Sequence, residues 1–145
     1  MNEQIARGVV DRFLKTWNSK DIEAFSACFK EDGDFVNVLG EMAKGRQAIA
    51  EMHKFPFATV QSKAVASIER LELRELDSQL VGADMWWKAV GSLTPKGEPL
   101  PERFGLIYFV IDVKSGDGLI VSGRNMDYSN SYGREAVRRA QANAR

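Results

Sequence analysis

His53 is the only histidine among the 145 residues, and it is the side chain best suited to acid–base chemistry. An unperturbed imidazole has a pKa of about 6.5, so it can take up or release a proton near neutral pH. Ile49 and Met52 precede it at helical spacing, which predicts that the ring points towards the interior. Two interpretations stay open: a general acid–base group, or a histidine buried for fit and hydrogen-bonded to a neighbour.

Asn37 is a second candidate, because it lies between apolar neighbours on a predicted strand. In the segment DFVNVLG, strand alternation places Asn37 on the same face as Phe35 and Leu39. A polar group in such surroundings usually has a hydrogen-bond partner, so we expect it to orient His53 or a ligand carbonyl. Asp34 belongs to the opposite face, where we expect it to close the preceding turn.

Aromatic side chains offer flat surfaces that could line a binding site. Trp86 and Trp87 are adjacent on a predicted strand, so one faces the interior and the other faces a potential subunit interface; we expect Trp87 at the ligand site. Trp17 follows Phe13 at helical spacing, which favours core packing, and we also expect it at the ligand site. Tyr108 could donate a hydrogen bond to a developing oxyanion.

Metal and nucleotide chemistry are not predicted. One histidine and one distant cysteine, Cys28, do not make a zinc site, and the sequence has neither a P-loop nor a dinucleotide fingerprint. Cys28 has no basic neighbour in the sequence that would activate its thiol, so we expect it to be inert. We therefore expect no metal and no cofactor.

The charge balance argues against several classes of partner. Twenty basic and twenty acidic residues give a formal net charge of zero, without the positive surface that binds nucleic acid or an anionic membrane. A low net charge mildly favours self-association. The first residues are too polar for a signal peptide, no apolar run could cross a bilayer, and a lone cysteine suits a reducing compartment. We expect a cytoplasmic protein.

The first half of the chain predicts three helices and one strand. A long amphipathic helix comes first, and a second, short helix with Phe29 on its buried side is expected to end in EDGD. The strand DFVNVLG follows. A third helix is expected from near Arg46 to Phe55, because Pro56 disfavours helix at the residue before it.

The second half predicts a meander of strands. Three segments have strand character and are separated by turn-forming segments: QLVGADMWWKAVGSL, ERFGLIYFVIDV and GLIVSGRNMDYS. In SIERLELREL the apolar residues follow neither the helical nor the strand period cleanly. The order of elements predicts an α+β fold, with helices on one face of a mostly antiparallel sheet. The polar, arginine-rich residues 133–145 predict a solvated or partner-docked helix.

The sequence resembles the nuclear-transport-factor-2-like superfamily, and within it the SgcJ/EcaC group of SnoaL-like proteins. The resemblance spans most of residues 5 to 128, and its last part is the segment IVSGRNMD. It departs from the family pattern at Gly118, where relatives usually have tryptophan. The residues that carry its first half are Trp17, Asp21, Phe25, Phe29, Asp34, Phe35, Gly40, Gly45, Ile49 and His53.

The resemblance implies a cone-shaped fold in which a curved sheet wraps around three N-terminal helices. It implies a domain of residues 1–132, a homodimer formed through the outer face of the sheet, and a cavity for a small apolar molecule. Asn125 stands where the SgcJ/EcaC pattern has asparagine, so the resemblance places it at the ligand. The expected function is ligand binding, with cofactor-free isomerase, dehydratase or cyclase chemistry at His53; the alternative is a non-catalytic dimerisation or ligand-sensing module.

Overall fold

The computed structural model describes residues 1–129 and 134–144, and within them four helices and six strands. The helices are α1 (Asn2–Ser19), α2 (Ile22–Ser26), α3 (Arg46–Ala58) and α4 (Arg134–Asn143). The strands are β1 (Phe29–Val36), β2 (Met42–Lys44), β3 (Val65–Glu75), β4 (Leu80–Val90), β5 (Arg103–Asp112) and β6 (Leu119–Asp127). This confirms the predicted α+β fold, with three N-terminal helices packed on one sheet.

The six strands form one sheet in the order β2-β1-β6-β5-β4-β3. The pairing of β1 with β6 is parallel, and the other four pairings are antiparallel. The register shifts between Ile68 and Arg70 in β3 and between Val110 and Ile111 in β5. Bulges of this kind bend strands and increase their twist, so the sheet curves around the helices.

Helix α1 covers the inner face of the curved sheet. Its apolar side buries Ala6, Val9 and Val10 completely. Phe13 lies on the same side, with its ring centre 5.1 Å from that of Phe25 and 4.9 Å from that of Phe109 on β5. Aromatic burial between helix and sheet therefore supplies much of the core.

The boundary between α2 and β1 differs from the prediction. Helix α2 ends at Ser26, and Phe29 begins β1, so the segment EDGD lies within a strand. The pairing of β1 with β6 is irregular between Phe29 and Asp34. A Cβ on Gly33 would lie 3.0 Å from the Ile120 carbonyl oxygen, so glycine is required there for close backbone approach rather than for a turn.

Helix α3 also runs further than predicted, to Ala58, with Pro56 inside it. The predicted end at Phe55 is wrong because tertiary packing outweighs the local cost of proline. Phe57 is buried, and its ring centre lies 5.3 Å from that of Phe25 and 5.9 Å from that of Trp17. This extra turn completes the aromatic layer around His53.

The segment with an ambiguous pattern forms the long edge strand β3. In α4, the described side chains of residues 137–144 are exposed, in agreement with a polar helix. The predicted boundary between residues 132 and 133 lies outside the described residues, so the division into a domain and a tail stays a prediction. No helix in the described ranges is both long and apolar enough to span a membrane.

Candidate functional site

The inner face of the sheet and the helices enclose a cavity of about 660 Å³. Its walls come from α1, α3, the turn after β1, and the inward faces of β4, β5 and β6. Most of the side chains that line it are apolar or aromatic, with few polar groups among them. These are the size and lining of a typical site for a small organic molecule.

His53 lies in the wall of this cavity, on helix α3. Only 8% of the residue is exposed, and the ring centres of Phe25, Phe35 and Phe57 lie 4.5, 5.4 and 5.5 Å from its own. Its Nδ1 lies 2.8 Å from the Ile49 carbonyl oxygen, one helical turn earlier. A carbonyl only accepts hydrogen bonds, so Nδ1 carries the proton in the neutral ring.

The other ring nitrogen of His53, Nε2, has no hydrogen-bond partner within residues 1–129 and 134–144. Those residues contain no fully buried side-chain nitrogen or oxygen without a partner, so Nε2 keeps access to open space. Burial lowers the pKa of His53 below its ordinary value, and the hydrogen bond to Ile49 opposes this shift only in part. At neutral pH the ring is therefore uncharged, and Nε2 presents a lone pair.

Trp87 and Asn125 form a second feature of the cavity wall. Both residues line the cavity, and the Trp87 Nε1–H donates to Asn125 Oδ1 at 2.9 Å. Trp86 lies on the other face of β4, where the Arg70 guanidinium stacks 4.7 Å from its ring centre. The two adjacent tryptophans thus face opposite sides of the sheet.

Trp17 lines the cavity from helix α1. Its ring packs edge-on against Phe57, and the Lys20 Nζ lies 3.6 Å from its ring centre. Burial lowers the pKa of Lys20 to about 8. Trp17 is thus both a packing residue and a surface available to a ligand.

Asn37 lies at the cavity, but its side chain does not orient His53. Its Oδ1 accepts from the backbone N–H groups of Leu39 and Glu41 at 3.0 and 2.9 Å, and its Nδ2 donates to the Glu41 carboxylate at 3.2 Å. Asparagine favours such turns because its amide mimics a backbone group. This corrects the expectation that Asn37 orients His53, because its amide closes the turn between β1 and β2; contact of Asn37 with a ligand stays a prediction.

Tyr108 lies outside the cavity. Its hydroxyl lies against Gly82 on the outer face of the sheet, in a shallow depression also lined by Glu72, Arg74 and Asp84. Strand β5 points alternate side chains to opposite faces, and its inward set contains Ile107. The expectation that Tyr108 contacts a ligand in the cavity is therefore corrected.

Asp34 also differs from its predicted role. Its Oδ1 accepts from Arg124 Nη1 and Ser122 Oγ, both at 2.7 Å, across the parallel pairing of β1 with β6. It therefore ties two strands together on the sheet instead of closing a turn.

Arg103 and Gln61 line the cavity and were not among the predicted site residues. The Arg103 guanidinium donates to Asp127 Oδ2 at 2.8 Å and to Ser92 Oγ at 3.0 Å, and Ser92 lies 2.8 Å from Gln61 Oε1. Both faces of β5 are rich in apolar residues, so alternation alone did not show which face lines the cavity. Gln61 follows α3 in a turn and carries no sequence signal of a site.

The structure gives no indication of a metal centre or a reactive thiol among the residues it describes. In those residues, no three His, Cys, Asp or Glu side chains are grouped so that they could hold a metal ion. Cys28 is buried, and burial raises the pKa of its thiol, so it stays protonated and a poor nucleophile.

Comparisons with known proteins identify the family of the chain. Residues 10–122 match the family model of the SnoaL-like domain. No significant match was found among curated proteins. Three solved structures illustrate the likeness in fold, and all three share less than a quarter of their residues with this chain.

An uncharacterised protein from Caulobacter vibrioides with a cystatin-like fold has a TM-score of 0.81 at 20% identity, over 93% of this chain and 94% of that one. An NTF2-like protein from Novosphingobium aromaticivorans has a TM-score of 0.74 at 18% identity, over 93% and 87%. A candidate scytalone dehydratase from the same organism has a TM-score of 0.72 at 12% identity, over 86% and 83%. The fold is that of these cystatin-like and NTF2-like proteins, and the chain belongs to the SnoaL-like domain family.

Proposed function

We propose that this protein binds a small, mostly apolar organic molecule in its cavity, and that His53 moves a proton on that molecule. The observation that carries this proposal is the position of His53: a neutral imidazole in an apolar wall, with one nitrogen bonded to Ile49 and the other open. Packing alone does not require an open nitrogen. A general base does, because it must reach the proton that it removes.

The reaction class that fits is proton transfer without a cofactor. Nε2 of His53 would take a proton from a carbon next to a carbonyl, leaving an enolate and an imidazolium whose Nδ1–H stays bonded to Ile49. In an unsaturated ketone, return of that proton from the imidazolium to another carbon of the conjugated enolate completes an isomerisation. In a β-hydroxy ketone, transfer of the proton to the hydroxyl group releases water and forms a carbon–carbon double bond, which completes a dehydration. The fold similarity to a candidate scytalone dehydratase supports this class without naming a substrate.

Several finer assignments belong to the same proposal. They are membership of the SgcJ/EcaC group, a homodimer formed through the outer face of the sheet, and a cytoplasmic location. For the dimer, the support is a low net charge and apolar side chains on the outer face, among them Met126, which is 57% exposed. We propose neither nucleic acid nor membrane as a partner.

A second candidate function is a ligand-binding module without catalysis. It is favoured by the other polar side chains of the cavity, since Asn37, Arg103 and Asn125 each already bond to another protein group. Besides His53, the described cavity lining has one side chain capable of acid–base chemistry, Glu41, and its carboxylate accepts a hydrogen bond from Asn37 in the exposed turn after β1. A single base binds and polarises a ligand but gives slow chemistry without an acid partner.

Hydrogen exchange on a simple ketone tests the proposal. The probe is 2-tetralone, a flat bicyclic ketone with acidic C–H groups next to its carbonyl, incubated with the protein in D₂O. We expect binding by calorimetry and faster deuterium incorporation, measured by NMR, than in buffer alone. His53→Gln should keep the binding and lose the faster exchange.

The possible results separate the two candidates. Binding without faster exchange in the wild-type protein would leave the binding module and remove the acid–base role of His53. Equal acceleration by wild type and His53→Gln would also remove that role. An absence of binding would contradict the small-molecule function itself.

A further inference from the structure

The polar groups on the sheet side of the cavity form one connected patch, which we call the donor patch: Gln61, Arg103 and Asn125. All three line the cavity. Ser92 links Gln61 to Arg103 through contacts of 2.8 and 3.0 Å. Trp87 links Arg103 to Asn125, because the guanidinium carbon lies 5.5 Å from the Trp87 ring centre and the indole bonds to Asn125.

The orientation of the Asn125 amide is fixed by its partner. The indole N–H of Trp87 can only donate, so the atom that it contacts at 2.9 Å must be the amide oxygen. The amide NH₂ of Asn125 then has no partner in the described part of the chain. It is not a fully buried unpaired group, so it keeps access to open space at the cavity.

The same reasoning orients Gln61. Arg103 only donates, so Ser92 Oγ accepts from it, and the buried Ser92 hydroxyl must find an acceptor for its own proton. The acceptor that it contacts among the described residues is Gln61 Oε1, at 2.8 Å. The NH₂ group of Gln61 is therefore the part left without a partner, as in Asn125.

Arg103 is the third residue of the donor patch, and its guanidinium group can only donate hydrogen bonds. Its Nε donates to Asp127 Oδ2 at 2.8 Å, its Nη1 donates to Ser92 Oγ at 3.0 Å, and its Nη2 lies 2.8 Å from the same Asp127 oxygen as an ion pair. A guanidinium has five N–H groups, so Arg103 keeps unused donors. The oxygens of Asp127, Ser92, Gln61 and Asn125 each already accept a hydrogen bond within the protein, whereas the NH₂ groups of Gln61 and Asn125 have no partner among the described residues.

From this arrangement we infer that the donor patch is a binding site for an oxygen acceptor, namely a ketone or enolate oxygen on the apolar molecule that the cavity holds. The inference rests on the proposed function and narrows its substrate class to carbonyl compounds. The helix side of the cavity presents a hydrogen-bond acceptor instead of donors, namely the lone pair of His53 Nε2. A carbonyl with an adjacent acidic C–H matches both walls, whereas an ammonium group or a plain hydrocarbon does not.

Three probes with the same bicyclic skeleton test the inference by calorimetry on the wild-type protein: tetralin, 2-tetralone and 2-aminotetralin. The quantity compared is the ratio of the association constants of 2-tetralone and tetralin, which largely removes the contribution of the shared skeleton. Asn125→Asp and Gln61→Glu keep the oxygen that accepts from Trp87 or Ser92 and replace only the NH₂ donor by a second oxygen. Gln4→Glu adds the same charge on the exposed part of α1, about 20 Å along the helix from Trp17, and serves as the control.

We expect the ratio to fall at least about fivefold in each of the two cavity variants, because a hydrogen bond is lost and a like-charged oxygen replaces it. The control should keep the wild-type ratio, and 2-aminotetralin should bind the two cavity variants more tightly than wild type. If the three probes bind but both cavity variants keep the wild-type ratio, the inference is wrong and the proposed function stands. If none of the probes binds the wild-type protein, both are wrong.

Discussion

Two buried ionisable side chains, Asp112 and His53, show how differently the two parts of this fold treat a polar group. Asp112 ends β5 with only 1% of its surface exposed, and His53 on α3 is 8% exposed. Four donors surround the carboxylate: Lys114 N, Ser115 Oγ, Gln79 Nε2 and Lys30 Nζ, at 2.9 to 3.4 Å. His53 has a single hydrogen bond and a second nitrogen open to the cavity.

The pKa shifts have correspondingly different causes. Burial by itself would raise the pKa of Asp112, but the hydrogen bonds outweigh it and lower this pKa to about 2. For His53, burial dominates and lowers the pKa. The Asp112 carboxylate has all its hydrogen bonds within the protein and so stabilises the loop after β5. The His53 imidazole keeps a free lone pair that a ligand can use.

The largest effect on stability is expected when the Asp112 carboxylate, which accepts from four donors, is removed. Asp112→Ala should lower the free energy of unfolding by about 3 kcal/mol, because it leaves Gln79 and Ser115 without their acceptor. Lys30 is 34% exposed and can rehydrate, which limits the loss. Urea denaturation measures the effect, and 2-tetralone affinity at a temperature where the variant is folded should not change.

The control for this prediction is Asp117→Ala, in the same loop and exposed, which should change the free energy of unfolding by less than about 0.5 kcal/mol. A similar stability loss in both variants, or a loss of binding in the folded Asp112→Ala protein, would contradict the separation of structural and ligand-facing groups.

A substitution in the cavity wall should affect both stability and binding. A Cβ on Gly105 would overlap the Trp87 ring and the Met126 carbonyl oxygen. Gly105→Ala should therefore displace Trp87 from Asn125, lower the free energy of unfolding by about 2 kcal/mol, and weaken 2-tetralone binding. Thermal unfolding and calorimetry measure the two effects.

Gly8→Ala is the matched control, because Gly8 lies within α1 and a Cβ there has no atom within 4 Å. It should raise the free energy of unfolding by about 0.5 to 1 kcal/mol through helix propensity and leave binding unchanged. Unchanged binding in Gly105→Ala would show that Trp87 is not part of the site.

The smallest effect concerns the pH dependence of stability. The pKa of His53 is lower in the folded protein than the ordinary value of about 6.5, so the unfolded chain binds the proton more readily. The contribution of His53 to the free energy of unfolding should be complete above about pH 6.5 and be lost as the pH falls below that value, whereas the lowered pKa of Lys20 acts only above about pH 7. His53 is the only histidine, and the lowered pKa of Asp112 acts only below about pH 4.

His53→Phe should flatten this dependence between pH 5 and 7. Its free energy of unfolding at pH 7 should stay within about 1 kcal/mol of wild type, because one side-chain hydrogen bond is exchanged for apolar contact. Denaturant titrations at several pH values measure both quantities, and an equal slope in wild type and variant would show that His53 does not titrate as inferred.

The sequence predicted most of the elements and the position of His53 on the inner side of a helix. Helical spacing with Ile49 was sufficient for that, because one face of α3 is clearly more apolar than the other. The end of α3 was not predictable, since the packing of Phe57 outweighs the local effect of Pro56. The start of β1 at Phe29 depends on its pairing with β6, which is distant in the sequence.

Residues on strands were harder to assign to the cavity. Alternation put Trp86 and Trp87 on opposite faces of one strand but did not by itself show which face of a strand is inward. The choice of Tyr108 was wrong for this reason. Asn125 was placed at the ligand by family resemblance, and it does line the cavity, although its role in binding stays a prediction.

By itself the sequence determined the order of the helices and of the longer strands, though not the short strand β2, and the presence of one imidazole on an apolar helix face. These follow from periodicity and local conformational preference, which act over a few residues. Tertiary structure alone decided which strand face became the inner one, because both faces of β5 are apolar and only packing under α1 and α3 distinguishes them. It also decided which way the amides of Gln61 and Asn125 point, since their partners, Ser92 and Trp87, lie more than thirty residues away in the sequence.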